Sequence, residues 1–142
     1  MTDTPPARSI TKSVTIDRPA ADVHSYLADA RNWPQWSIVN VLAIQAGADP
    51  RWWQMTTPRG SGQLRIRADA QTGLLDHDFR DPQASWTVPA RVVPNGQGAE
   101  FLITFFQPAV LDADEFDRQA ALIDTELAKL KDILESHPPI VA

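Results

Sequence analysis

The stretch SVTIDRPAADVHSYLADARNWPQW, residues 13–36, decides how the chain begins to fold. Val14 and Ile16 fall on one face of an alternating run, which predicts a first strand. Pro19 suits the first turn of a helix, because the N–H group that proline lacks would be unpaired there. The residues that follow recur at helical spacing and form one apolar stripe: Val23, Tyr26, Leu27 and Ala30. Residues 32–36 interrupt that helix and predict a short second one.

The rest of the chain contains a meander of strands and one long helix. From Ile38 to Gln107, short alternating runs are punctuated by Gly, Pro and Asn, which is typical of consecutive antiparallel strands. Asp112 and Glu115 resemble a capping box at the start of a helix that extends to about Ser136. Its apolar face comprises Phe116, Ala120, Ile123, Leu127, Leu130 and Leu134. The pattern predicts an α+β domain over residues 9–137, with a flexible leader at 1–8 and a flexible tail at 138–142.

Four turns predict which side chains of the sheet face inward. Asn95-Gly96 is a strong hairpin signal, and Asp81-Pro82-Gln83-Ala84 has the pattern of a type I turn. With loops at Gln71-Thr72 and Arg59-Gly60 as well, all four hairpins agree on one set. The inward residues are Trp53, Met55, Leu64, Ile66, Ala68, Leu75, His77, Phe79, Trp86, Val88, Ala90, Phe101, Ile103 and Phe105. Trp86 is expected in the core, whereas the outer-face residues Trp52, Leu102 and Phe106 are not placed by the pattern.

Composition excludes several classes of protein. The 142 residues include no cysteine, so thiol nucleophiles, disulfides and cysteine-based metal sites are excluded. Thirteen Lys and Arg against eighteen Asp and Glu leave a net charge of −5, the wrong sign for a nucleic-acid binder. No apolar run is long enough for a membrane span. We expect a cytoplasmic protein, a monomer or weak homodimer, that needs no metal and no cofactor.

Residues 13–36 resemble the opening of the START-like (Bet v 1-like) superfamily, also called the SRPBCC or polyketide cyclase/dehydratase-like group. The stretches GLLDHDF and PARVVPNGQGAEFLITFF and the final helix resemble a bacterial branch of it without assigned function. The resemblance runs from about Ser9 to His137. It implies a helix-grip fold: a curved seven-stranded antiparallel sheet around a long C-terminal helix, with two short helices after the first strand.

His77 is the only ionisable residue of the inward set. Surrounded by apolar side chains, it is expected to be neutral at pH 7. Three roles stay open: a core histidine bonded to the backbone or to Tyr26, a ligand contact, or a general base. Asp76 and Asp78 point to the other face, so they form no triad with His77, and Asp76 is expected to pair with Arg91. His24 and His137 are expected on helix surfaces.

Three functions follow as hypotheses. The first is binding of one small, mostly apolar, possibly aromatic or lipid-like ligand in a cavity between the sheet and the C-terminal helix. The second is a cyclase/dehydratase-type enzyme in which His77 transfers a proton. The third is a protein-interaction module on the outer sheet face. The residues predicted to contact a ligand are Tyr26, Trp36, Trp53, Ile66, His77, Val88, Phe101, Ile103, Ala120 and Ile123.

Overall fold

The computed structural model describes residues 4–136, which fold as one curved antiparallel sheet with helices on its concave side. The strands are β1 (Ser9–Ile16), β2 (Ala43–Ala46), β3 (Trp53–Thr57), β4 (Gly60–Asp69), β5 (Leu74–Arg80), β6 (Ser85–Val88), β7 (Ala90–Asn95) and β8 (Gly98–Phe106). The helices are α1 (Ala20–Ala28), a 3-10 turn (Ala30–Asn32), α2 (Trp33–Trp36) and α3 (Ala113–Ser136). The strand order is β1-β8-β7-β5-β4-β3-β2, and β6 pairs with β5. This is the predicted helix-grip fold.

The described residues contain eight strands where the sequence predicts seven, because Pro89 divides one strand into β6 and β7. Proline has no N–H group to donate to a neighbouring strand. The Pro89 carbonyl still accepts a hydrogen bond from the N–H of Thr104 at 3.0 Å. The chain therefore stays in the sheet at Pro89, although β6 and β7 remain separate strands.

The predicted faces are confirmed, although two hairpins pair differently from the prediction. His77 lies opposite Val88 and Ile66 as predicted. Ala90 pairs with Ile103 rather than Phe101, and Trp53 pairs with Leu64 rather than Ile66. Each of these two differences is a shift of two residues. Because side chains alternate with a period of two, such a shift leaves every residue on its predicted face.

Helix α3 follows β1 along one edge of the sheet. Glu115 donates its N–H to Asp112 Oδ1 at 2.8 Å, which confirms the predicted cap, while the Glu115 carboxylate binds Arg118 instead of closing the box. Contacts between the two elements advance together along the chain, so α3 and β1 run in the same direction: Arg8 with Asp117, Lys12 with Asp124, and the Thr15 carbonyl with Lys131. This placement covers β1 and leaves the far side of the sheet to other elements.

The concave face becomes less buried toward one end. His77 and Ile103 are buried, whereas Phe79 and Phe105, two residues further along the same strands, are half-buried. Trp86 is paired with Phe79 and is 46% exposed, which contradicts the expectation that it lies in the core. Since α3 follows β1, it does not shield Trp86. We call the surface formed by Phe79, Trp86 and Phe105 the open end of the concave face.

The convex face holds the three residues that the sequence analysis left unplaced: Trp52, Leu102 and Phe106. Trp52 is buried because two guanidinium groups cover it: the Cζ atom of Arg80 lies 3.8 Å from the ring centroid and that of Arg65 lies 4.6 Å away. Such cation–π contacts stabilise an indole that would otherwise face water. Leu102 is half-buried and Phe106 is exposed.

Asp78 connects three strands on the convex face. Its carboxylate accepts from Arg65 and Arg67 on β4, at 2.7–3.0 Å, and from Thr87 on β6 at 2.6 Å. Burial alone would raise the pKa of this carboxyl, but the hydrogen bonds from Thr87, Arg67 and Arg65 lower it to about 2.

The prediction of an ion pair between Asp76 and Arg91 is wrong. Asp76 accepts from the N–H of Ala90 at 3.0 Å, where the chain resumes pairing after Pro89. Arg91 donates instead to the carbonyl of Thr72 at 2.9 Å. A carboxylate beside an interrupted ladder binds the N–H group that the ladder leaves unpaired.

Candidate functional site

His77 lies in the middle of β5 and points into the concave face, where it is 2% exposed. Its Nδ1 lies 3.0 Å from the carbonyl oxygen of Leu75. Burial among apolar side chains lowers the pKa of His77 to about 4, so the ring is neutral at pH 7. A neutral ring whose Nδ1 donates to a carbonyl carries a lone pair on Nε2. The hydrogen bond to the Leu75 backbone is therefore one of the three roles considered for His77, and it uses Nδ1. Nε2 remains able to accept a second hydrogen bond.

Six rings form a continuous series across the concave face, which we call the aromatic ladder. In order, they belong to Trp86, Phe79, His77, Trp33, Trp36 and Phe101. Trp86 and Phe79 are stacked, with centroids 5.5 Å apart and planes 24° apart, whereas every later pair meets edge to face. The ladder leads from an exposed ring at the open end to rings at the centre of the core.

The two indoles of α2 differ in their hydrogen bonding. Trp33 Nε1 donates to the carbonyl of Leu27 at 2.8 Å. Trp36 is 2% exposed, and its Nε1 finds no acceptor among residues 4–136. A buried N–H group without a partner is rare in native proteins and calls for a water or a ligand. Trp36 is therefore a predicted contact residue whose N–H group is unused.

Glu126 is a buried acid that the sequence analysis did not single out. Its carboxylate accepts from Ser37 Oγ at 3.0 Å, from the N–H groups of Val39 and Asn40 at 3.0 and 3.1 Å, and from Asn40 Nδ2 at 3.1 Å. Burial raises the pKa of Glu126 despite these bonds. The carboxylate thus ties the segment after α2 to α3.

A sequence signal for Glu126 existed. It stands three residues after Ile123 and four before Leu130, so it lies on the apolar face of α3 at helical spacing. A carboxylate at such a position must find donors when it is buried.

The other predicted contact residues divide by burial. Those buried on the concave face or on α3 toward it are Val88, Phe101, Ile103, Ala120 and Ile123. Tyr26, Trp53 and Ile66 are half-buried. The Tyr26 hydroxyl donates to Gln35 at 3.0 Å, so it is not the partner of His77.

Two surface clefts of about 570 Å³ each lie away from the space between α3 and the sheet. One lies between the β1–α1 connection, at Arg18 and Pro19, and the β7–β8 turn at Gly96. The other lies between α1 and the sheet and is lined by Trp53 and small residues such as Ala28 and Ala68. Of the predicted contact residues, Trp53 alone lines either cleft, whereas those between α3 and the sheet, such as Phe101 and Ile123, belong to the hydrophobic core.

His24 is buried, which corrects the expectation of a surface position. Its Nε2 lies 3.0 Å from the carbonyl oxygen of Leu74, the first residue of β5. The α1 stripe predicted from Val23 and Leu27 leaves His24 at its edge, and only the position of β5 against α1 brings a carbonyl to it. His137 lies outside the described residues.

Within residues 4–136, no group of His, Asp and Glu side chains is arranged to hold a metal ion. The helices in the same range are too short or too polar to cross a membrane.

Comparison with known proteins agrees with this geometry. Residues 7–135 match the family described as polyketide cyclase/dehydrase and lipid transport. No functionally curated protein matches the chain.

Solved structures share the fold at low sequence identity. A START superfamily protein from Mycobacterium smegmatis superposes with a TM-score of 0.70 at 13% identity, covering 89% of this chain and 97% of that one. The Aha1 dimer from Colwellia psychrerythraea gives a TM-score of 0.72 at 12% identity, covering 91% and 97%. XoxI from Bacillus cereus gives 0.71 at 11% identity, covering 90% and 96%. The chain therefore belongs to the polyketide cyclase/dehydrase and lipid transport family and shares the fold of the START superfamily protein.

Proposed function

We propose that this protein binds one small, mostly apolar ligand with an aromatic or otherwise flat part, which enters at the open end of the concave face. The observation that carries the proposal is the aromatic ladder, because it joins an exposed ring to the core without a break. Binding sites for small molecules are mostly apolar and aromatic, with a few polar groups. The concave face has this composition.

The exposed end of the ladder supports a flat ligand. Trp86 is 46% exposed although it lies on the face that the fold shelters, and it stacks on Phe79. A further ring placed against this pair gains stacking energy and removes apolar surface from water. The lining proposed for the inner part of the ligand is Trp36, Ile66, His77, Val88, Phe101, Ile103, Ala120 and Ile123, with Tyr26 and Trp53 at the border.

A second function, proton transfer in a cyclase/dehydratase-type reaction, is supported by His77. Its Nε2 has no hydrogen-bond partner among the described residues and carries the lone pair that a general base needs. Two observations favour binding over catalysis. A pKa of about 4 makes a weak base at pH 7, and Nδ1 is held by a backbone carbonyl rather than by a carboxylate.

The interaction module has less support. Of the two outer-face residues on which that hypothesis rests, Leu102 is half-buried and Phe106 is exposed. One exposed ring is a small apolar surface for a partner protein.

Binding is tested with N-phenyl-1-naphthylamine, a neutral dye that fluoresces in apolar surroundings. We expect micromolar binding that quenches tryptophan emission. Trp86→Ala should weaken it about threefold to tenfold, because a stacked aromatic pair contributes about 0.5–1.5 kcal/mol beyond its buried area. Phe106→Ala is the matched control, since Phe106 is 50% exposed but lies on the convex face, and it should leave the affinity unchanged. If neither this dye nor other neutral aromatic probes bind, the proposal is wrong.

His77→Asn separates the two functions. Asparagine keeps a donor near the position of Nδ1 but cannot act as a base. A binding protein should lose about 1 kcal/mol of affinity at most, the value of one neutral hydrogen bond. An enzyme should lose turnover by about 10²–10⁴-fold while it still binds substrate.

A further inference from the structure

We infer that this chain forms a homodimer in which β2 (Ala43–Ala46) pairs antiparallel with β2 of a second copy. The inference does not depend on the proposed ligand, and it chooses between the monomer and the weak homodimer that the sequence left open. Its basis is an unpaired edge of the sheet that carries neither a charge nor a proline and that exposed apolar side chains border.

The first step is that the edge at β2 is open. Strand β2 ends the strand order, and no strand in the described part of the chain lies on its other side. The N–H of Leu42 donates to the carbonyl of Thr56 at 2.8 Å, and Thr56 pairs with Ala43, so the backbone groups of this pair point toward each other. Because these groups alternate in direction along a strand, the N–H and C=O groups of Ile44 and Ala46 point away from β3. They are available to a further strand.

The second step is that β2 lacks the usual protection of an edge strand. Proteins keep open edges apart with charged side chains or proline, because an open edge is a template for pairing with another chain. Residues 32–48, which include β2, are the longest stretch of the sequence without a charged side chain. The strand at the opposite edge, β1, carries Lys12 and is covered by α3, whose Asp124 binds that lysine. Of these two edges, β2 is the one left unprotected.

The charge of the chain favours a second copy as the partner. Each copy has a net charge of −5, so two copies repel each other wherever their charged surfaces meet. The uncharged stretch at 32–48 is where they approach with the smallest repulsion. A partner selected by charge would need charged groups beside this edge, and the stretch offers none.

The strand is also complementary to itself. When β2 pairs with its copy about a two-fold axis at Gln45, Ile44 of each chain lies opposite Ala46 of the other. This register gives every outward N–H group of β2 a carbonyl acceptor on the other copy. The two Gln45 residues then face each other as a non-hydrogen-bonded pair, in which the Cα atoms are about 4.5 Å apart.

Apolar side chains near β2 enlarge the contact. A four-residue strand alone buries less than the roughly 1,200–2,000 Å² of a stable interface. Ile38 and Leu42, in the segment that leads into β2, are exposed. Leu122 is exposed as well, and it lies one helical turn before Glu126, whose carboxylate binds the N–H of Asn40 in that segment. These side chains supply apolar area beside the edge, which suits a weak dimer.

The absence of cysteine from the chain makes disulfide cross-linking a direct test. Gln45→Cys places one thiol of each copy at the two-fold axis, within the distance that a disulfide spans. With the oxidant diamide, this variant should form a covalent dimer at least about tenfold faster than Thr11→Cys, because pairing raises the effective concentration of the thiols. Thr11 is the matched control, since it is also exposed on an edge strand, but on β1. Equal rates for the two variants would overturn the inference.

Sedimentation velocity tests the same contact without a cysteine. The wild-type protein should be a mixture of monomer and dimer at tens to hundreds of micromolar, with more dimer when salt screens the repulsion between copies. Ala46→Lys should weaken association about tenfold or more, because it places like charges on both sides of the axis. Thr11→Lys makes the same change in net charge and should not weaken association. If the wild-type protein stays monomeric throughout, or if the two lysine variants dimerise equally well, β2 is not the interface and the inference is wrong.

Discussion

The Nδ1 atom of His77 lies 3.0 Å from the carbonyl oxygen of Leu75, two residues earlier on the same strand. This bond settles the orientation of the imidazole, because Nδ1 donates and Nε2 is left as an acceptor. Burial lowers the pKa of His77 to about 4, so the ring is neutral at pH 7, and it contacts Trp33 and Phe79 edge to face.

The imidazole of His77 should titrate with a pKa of about 4, since burial disfavours the charged form. Two-dimensional NMR of the ring protons measures it, and His77→Asn identifies the resonance by its loss. A pKa at or above about 6.5, the usual value for histidine, would place the ring in water and contradict the inward register of β5.

The same shift makes the free energy of unfolding depend on pH. Because the pKa of His77 is lower in the folded state, its contribution is fully present above about pH 6.5 and is lost as the pH falls toward 4. The loss should reach about 3 kcal/mol at most. Urea unfolding at pH 7 and pH 4.5 should show a larger difference for the wild-type protein than for His77→Asn. Equal differences would contradict the prediction.

Glu126→Ala should lower the free energy of unfolding by about 2–4 kcal/mol, because it removes the acceptor of Ser37, Val39 and Asn40 at once. Asp132→Ala, at an exposed position of the same helix, should change it by less than about 0.5 kcal/mol. Hydrogen exchange should accelerate at the Val39 and Asn40 amides in the first variant and not in the second. Unchanged exchange there would show that the carboxylate does not hold this segment.

Leu127→Ala should cost about 2–5 kcal/mol, the range for a leucine in a well-packed core. Leu122→Ala is the matched control on the same helix, because Leu122 is 41% exposed, and its cost should be below about 1 kcal/mol. Thermal and urea unfolding give both values. A cost below about 1 kcal/mol for Leu127→Ala would indicate that this side chain borders empty space rather than packed core.

Asp78→Asn should destabilise the protein by about 1–2 kcal/mol at pH 7, because the amide cannot accept from Arg65 and Arg67 as a carboxylate does. The wild-type contribution is present above about pH 4 and is lost as the pH falls through about 2, since the pKa of Asp78 is lower in the folded state. Arg67→Ala alone should cost less, because Arg65 remains bound. Acid unfolding of the three proteins checks the order; an acid midpoint in Asp78→Asn that equals the wild-type midpoint would contradict it.

Much of the fold could be predicted from local chemistry. The period of 3.6 in Phe116, Ala120 and Ile123 placed α3, and the alternation in β4, β5 and β8 placed each side chain on the correct face. These patterns are reliable because helical and strand periodicities are properties of the backbone, so they hold wherever the element packs. Two hairpins shifted by two residues without moving a single side chain to the other face, for the same reason.

Several features of the candidate site depended on contacts between distant parts of the chain. Helical spacing places Glu126 on the apolar face of α3, but its donors lie in the segment after α2, which only the tertiary fold brings to it. Trp86 is a large apolar residue on the inward face of its strand, but it is exposed because α3 follows β1 rather than β6. Nothing in the sequence distinguishes the indole of Trp36 from that of Trp33, since the acceptor that Trp33 finds and Trp36 lacks is a backbone carbonyl placed by the packing of α1 and α2. Periodicity determines which side chains turn inward, while tertiary packing decides which of their polar atoms are satisfied.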